Sequence, residues 1–167
     1  MNRESRKAAS RRYKPKNVAL LLVAEAPPKS QDRYFYFEKV ASHDWLFNAV
    51  VKALFGESPR REDKPHWLQE LKRSGVYLID ASEDPVSSSD ISRKVPDLVR
   101  RARRLKPKCV LLLKATVHDQ AFVALRGGGL PVVDARIPFP SAGQQAQFHR
   151  RFRKGLRDGA RLAQASG

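Results

Sequence analysis

Residues that could recognise a planar ligand follow two short apolar segments of the chain. Glu25 lies just after the apolar run 18–23, and two nearby prolines stiffen the backbone that carries it. Phe35, placed between two tyrosines, offers a flat apolar face on which a ring can stack. Asp80 follows a second apolar run, 76–79, and its carboxylate could hydrogen-bond the edge of such a ring. Together these residue types predict a pocket for a base.

The apolar runs explain how these residues would come together. Each run is short and apolar throughout, which is typical of a strand buried on both faces of a parallel sheet. Parallel strands end at the same edge of a sheet, and open α/β sheets bind their ligands there. Two further apolar runs, 109–113 and 130–133, alternate with helical patterns. The order β, α, α, β, α, β, α, β, α predicts a three-layer α/β/α sandwich with a four-stranded, mostly parallel central sheet.

The charge of the chain indicates a polyanionic partner. Its 33 Lys and Arg against 17 Asp and Glu leave a net charge of +16, which favours nucleic acid over a membrane. No apolar run approaches the roughly 20 residues that a membrane span requires. We therefore expect DNA as the partner, no membrane association, and a monomer in the cytoplasm associated with the nucleoid.

Cysteine and histidine give no sign of a metal or cofactor. Cys109 is the single cysteine of the chain and lies within an apolar run, so it is interpreted as a buried core thiol. A single cysteine excludes an intramolecular disulfide and any four-cysteine zinc or iron–sulfur site. The four histidines lie far apart in the sequence and do not form a metal set. We expect neither metal nor cofactor.

The first 16 residues differ in composition from the rest of the chain. Seven of them are Lys or Arg, one is Glu, and almost none is apolar. This composition predicts a mobile basic arm over residues 1–16, followed by a single α/β domain over residues 17–167. The alternative is a solvated tail that only increases solubility.

A third polar loop, residues 136–143, lies between the fourth apolar run and a basic closing helix. Ser141 and the free N–H groups at the start of that helix could bind a phosphate group. The loop that contains Asp80 is also rich in serine, but Ser87–Ser89 could equally serve only to cap turns.

These loops resemble the signatures of the uracil-DNA glycosylase superfamily, over most of residues 17–157. The Ala-Glu-Ala-Pro-Pro sequence at 24–28 resembles the first signature, Gly-Glu-Ala-Pro-Gly in the family-four enzymes. Phe35 falls where those enzymes place the aromatic residue that stacks on uracil. The Asp-Trp-Leu-Phe run at 44–47 is similar to the Asp-Trp-Leu run that opens the next helix in family five. Pro140 and Ser141 look like the end of the second signature, His-Pro-Ser.

Two positions depart from the pattern of the superfamily. Phe139 stands where most members have the histidine that stabilises the departing base, and Ala26 stands where the most active enzymes have a water-activating aspartate. The four cysteines of family four are absent. Without the histidine, backbone N–H groups of the first loop, or Arg136, would have to stabilise the leaving base.

The resemblance implies a DNA repair glycosylase that flips uracil or a related deaminated base out of the DNA and hydrolyses its N-glycosidic bond. Glu25 and Glu38 are the catalytic candidates, and Glu38 lies close to the place where family five has its catalytic aspartate. The residues expected to contact the base are Ala26, Pro27, Phe35, Asp80 and Ser82. The residues expected to contact DNA are Lys29, Arg33, Arg136, Phe139, Pro140, Ser141, Gln144 and Arg150.

Other interpretations stay open at the level of sequence. Glu25 and Glu38 could make structural contacts only, and Phe35 could belong to the core. The whole chain could be a catalytically inactive relative that binds damaged or single-stranded nucleic acid. It could also be an α/β nucleotide-binding or RNA-processing domain with an accidental likeness to the superfamily.

Overall fold

The fold is built on a parallel sheet whose central strand is also the first. The computed structural model describes residues 2–41 and 43–165. Its strands are β1 (Leu20–Ala24), β2 (Val76–Asp80) and β3 (Cys109–Leu112), in the spatial order β2-β1-β3. The register pairs Ala24 with Asp80 across β1 and β2, and Val23 with Leu112 across β1 and β3. All three strands therefore end at one edge of the sheet.

Six helices accompany these strands in the described part of the chain. They are α1 (Arg3–Arg12), α2 (Trp45–Phe55), α3 (Lys64–Arg73), α4 (Ile91–Leu105), α5 (Ala115–Gly127) and α6 (Gln145–Ala165), with short 3-10 helices at Arg61–Asp63 and Ser88–Asp90. α2 packs against α6, and α4 packs against α5. Crossovers between parallel strands are right-handed in almost all proteins, so we expect α2 and α4 on opposite faces of the sheet, in keeping with the separate pairs α2–α6 and α4–α5. No helix in the described ranges is long and apolar enough to cross a membrane.

The predicted α/β class is confirmed, but the prediction of a fourth strand is wrong. The segment 130–133 meets β3 only at the isolated bridge between Val110 and Val132. Its backbone turns on itself, because the Val132 N–H donates to Leu130 O and the Ala135 N–H donates to Val133 O, both at 2.9 Å. Pro131, just before the bridge, has no N–H to donate. The sheet therefore has three strands, with this segment along the outer edge of β3.

The N-terminal residues form a docked helix instead of the predicted mobile arm. The side chain of Asn2 caps α1 by accepting a hydrogen bond from the Ser5 N–H. Arg6 donates to the backbone oxygen of Glu83 at 3.1 Å, and the buried ring of Tyr13 joins the core. Arg3 and Arg6 of α1 thus have partners about 80 positions further along the chain, a relation that local composition cannot reveal.

Tyr36 fixes the aromatic loop against the outer edge of β2. Leu78 lies in the middle of this edge strand, and its outward N–H and C=O have no further strand to pair with. The Tyr36 hydroxyl accepts from the Leu78 N–H at 2.7 Å and donates to the Leu78 O at 2.9 Å. This double contact satisfies the strand edge and holds the neighbouring Phe35 at the end of the sheet.

Replacing Tyr36 with Phe should destabilise the fold because it leaves the buried Leu78 N–H and C=O without partners. We expect the free energy of unfolding in urea to fall by about 1–3 kcal/mol. Tyr34→Phe is the matched control, since the Tyr34 hydroxyl makes no hydrogen bond within residues 2–41 and 43–165. Equal losses of stability for the two variants would contradict this role of Tyr36.

Candidate functional site

A cavity of about 560 Å³ opens at the edge where the three strands end. Each strand contributes a charged residue to its wall: Glu25 follows β1, Asp80 ends β2, and Lys114 follows β3. The remaining wall comes from the aromatic loop, the start of α2 and the loop before α6. Its lining residues there include Arg33, Tyr34, Phe35, His43, Asp44, Trp45, Phe139 and Ser141.

The Glu25 carboxylate is held by side chains from two other loops. Ser88 donates to both of its oxygens, at 2.9 and 3.0 Å. The Lys114 ammonium lies 3.0 Å from Oε1, and the Thr116 hydroxyl donates to Oε2 at 2.8 Å. Burial alone would raise the pKa of Glu25, but these hydrogen bonds and the positive charge of Lys114 outweigh it and lower the pKa. Glu25 is therefore a fixed negative charge at neutral pH.

Lys114 adopts a backbone conformation that side-chain-bearing residues rarely take. Its φ is 97° and its ψ is 130°, at the position just before α5 begins. The Lys114 N–H donates to Ile137 O at 2.9 Å, which ties the end of β3 to the loop before α6. This conformation directs the ammonium group toward Glu25, at a backbone strain of about 1–3 kcal/mol.

Asp80 places a carboxyl group with an unusual pKa in the cavity wall. Its backbone oxygen accepts from Arg101 at 3.0 Å, but its carboxylate makes no hydrogen bond within the part of the chain that the structure describes. Desolvation raises the pKa of Asp80 to about 7, although Arg101 and Arg6 act in the opposite direction. The group can therefore be either a donor or an acceptor of hydrogen bonds at physiological pH.

The aromatic wall is held in place by packing and by a buried ion pair. The ring of Phe35 meets Phe47 of α2 edge to face, with centroids 5.4 Å apart. Behind them the ammonium of Lys64 lies 2.6 Å from Asp44 and donates to Tyr34 O at 3.2 Å. Burial raises the pKa of Asp44 and lowers the pKa of Lys64, and each partner opposes the shift of the other. The ion pair thereby joins the aromatic loop to the start of α2.

The structure brings about half of the predicted site residues together. Those that line the cavity are Glu25, Ala26, Pro27, Arg33, Phe35, Asp80, Phe139 and Ser141. Phe35 is also largely buried, at 8% exposure, and belongs to the hydrophobic core, so its alternative role is shown and stacking on a base stays a prediction. Phe139 is 38% exposed at the mouth of the cavity.

The other predicted residues lie elsewhere. Glu38 accepts a hydrogen bond from Tyr13 and forms an ion pair with Arg12 at 3.2 Å, so it anchors the N-terminal segment and does not line the cavity. The buried Ser82 hydroxyl donates to Asp84 O at 2.7 Å within its own turn. Arg136 donates from Nε and Nη2 to the two carboxylate oxygens of Asp119, at 2.9 Å each. Outside this cavity also lie Lys29 and Gln144, both exposed, the buried Pro140, and Arg150, which lines a second cavity.

The residue that sequence reasoning missed is Lys114. It directly follows the third apolar run, as Asp80 directly follows the second. The rule that residues after parallel strands meet at one edge would have found it. Its partner Thr116 carried no signal, because its contact with Glu25 depends on how the first turn of α5 is oriented.

The site offers no cluster of metal ligands. In the described ranges no three or more His, Cys, Asp or Glu side chains come together in a group that could hold a metal ion.

The chain was compared with models of known protein families and with curated proteins, and it matches none of them.

Asp80→Asn should change the dependence of stability on pH. The unfolded Asp loses its proton near pH 4, whereas the folded protein keeps it up to about pH 7. Wild-type stability therefore falls as pH rises through this window, and the variant lacks that fall. Between pH 5 and pH 8 the variant should gain roughly 2–3 kcal/mol relative to wild type in urea unfolding.

The control for Asp80 is Asp158→Asn, at a carboxylate whose pKa is lowered by its hydrogen bond with Lys154. A lowered pKa contributes stability above pH 4 that is lost only in more acidic solution, so this variant should show no relative change between pH 5 and pH 8. The same pH dependence in both variants would contradict a raised pKa at Asp80.

Lys114→Gly should be more stable than Lys114→Ala. Both substitutions remove the ammonium, but only glycine adopts the positive φ without strain. We expect a difference of about 1–2 kcal/mol in the free energy of unfolding. At Lys52, an exposed position inside α2, the order should be reversed, because glycine costs about 1 kcal/mol relative to alanine in a helix. An alanine variant at 114 as stable as the glycine variant would contradict strain at this residue.

Proposed function

We propose that the protein is a DNA glycosylase that flips uracil or a related deaminated base into the cavity and hydrolyses its N-glycosidic bond. The observation that carries this proposal is the composition of the cavity wall. A flat aromatic surface, a carboxyl group with a pKa of about 7 and a fixed Glu25–Lys114 ion pair face the same space. The net charge of +16 supports a polyanionic substrate.

The cavity fits recognition of a base and its sugar. Its volume of about 560 Å³ lies in the range of small-molecule sites, which is roughly 300–1,000 Å³. Taking a base out of the DNA stack costs a few kcal/mol. Stacking of the flipped base against Phe35 and Tyr34 would offset this cost. Protonated Asp80 donates a hydrogen bond to a base oxygen, and ionised Asp80 accepts one from a base N–H. Uracil presents both groups on one edge.

The charges at the strand ends suit the bond cleavage. The bond from C1′ to the base nitrogen breaks with its electron pair moving to the base, which leaves positive charge on the sugar. The negative charge of Glu25 stabilises that cation, and the Lys114 ammonium stabilises the departing anionic base. Lys114 thereby takes the role of the histidine that most members of the superfamily have at the position of Phe139. A water oxygen bonds to C1′, one of its protons stays on the new hydroxyl, and the other ends on the base.

The alternative function is that of a catalytically inactive relative that binds damaged or single-stranded nucleic acid. The observation that favours it is the engagement of both Glu25 oxygens by Ser88, Lys114 and Thr116, which leaves little capacity to orient a water molecule. Ala26, at the wall of the same cavity, has no group that could activate water.

A matched pair of substitutions tests the catalytic role of the cavity. Glu25→Gln and Glu38→Gln make the same chemical change, but only Glu25 lines the cavity. In single-turnover assays on uracil-containing oligonucleotides, Glu25→Gln should lower the rate of excision roughly 10²–10³ fold. Its affinity for DNA should be unchanged or slightly higher, since a negative charge is removed beside the phosphates. Glu38→Gln should keep the wild-type rate.

Two results would contradict this assignment. A large loss of rate in Glu38→Gln together with a normal rate in Glu25→Gln would move the reaction away from the cavity. Binding of DNA by the wild type, without release of uracil or hypoxanthine from single or double strands, would establish the inactive-relative alternative. Abasic sites are detected by alkaline cleavage of an end-labelled strand.

A further inference from the structure

A second and larger cavity lies directly beside the proposed base-binding cavity. Its volume is about 860 Å³, and it opens between α2, the short 3-10 helix at Arg61–Asp63 and the start of α6. His43, Asp44 and Trp45 line both cavities. The two spaces are therefore separated by one short segment of chain. A ligand that extends beyond the first cavity would meet the second.

The rim of the second cavity carries several cations, and the Asp44 carboxylate that also lines it is already paired with the buried Lys64. Lys52, Arg61 and Arg150 are exposed there, and none forms an ion pair with a carboxylate in residues 2–41 and 43–165. Elsewhere on the surface some arginines, such as Arg100 and Arg136, are paired with an aspartate close by, and others, such as Arg103, have no ion pair in the described part of the chain but line neither cavity. Unpaired cations around a concave surface favour a phosphate group.

The interior of the second cavity combines apolar and ring surfaces. The His43 and Trp45 rings lie with centroids 4.9 Å apart, tilted by 35°, and the almost fully buried Phe47 and Phe148 lie behind the apolar part of the wall. His149 also lines the cavity, and its buried Nδ1 has no hydrogen-bond partner among the described residues. A buried ring nitrogen of this kind is a candidate contact for the polar edge of a ligand. Rings beside cations are the combination that binds unstacked nucleotides.

We infer that the second cavity binds the nucleotide next to the flipped one, with its phosphate at Arg61 and Arg150 and its base against Trp45. This inference rests on the proposed function for the assignment of the first cavity. In a duplex the neighbouring nucleotide is paired and stacked, and taking it out would add a second cost of a few kcal/mol. The preferred substrate class is therefore a single strand or an unpaired region of DNA.

Fluorescence anisotropy tests the inference, with an eight-nucleotide strand containing one uracil and with the same strand in a duplex. The wild type should bind the single strand at least about tenfold more tightly. The double variant Arg61→Ala/Arg150→Ala should lose at least about tenfold in affinity for the single strand. The slope of log affinity against log salt should become shallower by about 0.7 for each phosphate that the variant no longer neutralises.

The matched control is Arg103→Ala/Arg104→Ala. It removes the same charge from exposed positions on α4, which line neither cavity. It should lower affinity less than about threefold, since only long-range attraction is removed. Equal losses in the two double variants, or duplex binding as tight as single-strand binding, would overturn the inference. Free dTMP binding as tightly as the strand would also overturn it, because the site would then be one for a free nucleotide.

Excision is a separate readout. If the wild type removes uracil while the two double variants bind alike, the inference about the second cavity fails and the proposed function stands. If no base is removed but binding of the single strand depends on Arg61 and Arg150, the second cavity is supported and the glycosylase proposal fails.

Discussion

The carboxylate of Glu25 is the contact on which the geometry of the site depends. It joins the loop after β1 to Ser88, in the loop after β2, and to Lys114 and Thr116, after β3. The strands themselves fix only where these loops begin. A charged acceptor shared by all three loops fixes how they lie relative to one another, because each hydrogen bond to a carboxylate is stronger than one between neutral groups. The cavity exists as a defined space for this reason.

The same edge of the sheet contains two features that destabilise the fold. Lys114 holds a strained backbone conformation, and Asp80 is kept in a desolvated position that raises its pKa to about 7. A single substitution would remove the backbone strain at residue 114 or the desolvated carboxylate at residue 80, so the sheet requires neither. The core beneath, with Phe47, Phe148 and Phe152 almost completely buried, is extensive enough to offset them. Strain and shifted pKa values concentrate where proteins bind and react, which favours a functional role for this edge.

Local patterns in the sequence predicted most of the elements and part of the site. The apolar runs became β1, β2 and β3, and the rule about strand ends selected Glu25 and Asp80. Predictions failed where a distant partner decides the structure. The N-terminal helix is docked on Glu83 through Arg6, and the segment predicted as a fourth strand makes backbone turns around Pro131. Glu38 follows Phe35 by only three residues, but its contacts with Tyr13 and Arg12 keep it outside the cavity.

The cavity between Glu25, Asp80 and Lys114 is the place where we propose that a flipped base binds. A crystal structure with a single strand containing 2′-fluoro-2′-deoxyuridine is the decisive test, since the fluorine disfavours the cationic sugar and keeps the glycosidic bond intact. We expect the uracil ring against Phe35, with its polar edge at Asp80 and its C1′ on the side of Glu25. Density for the strand along Arg103 and Arg104 of α4, with the cavity filled only by solvent, would contradict this placement.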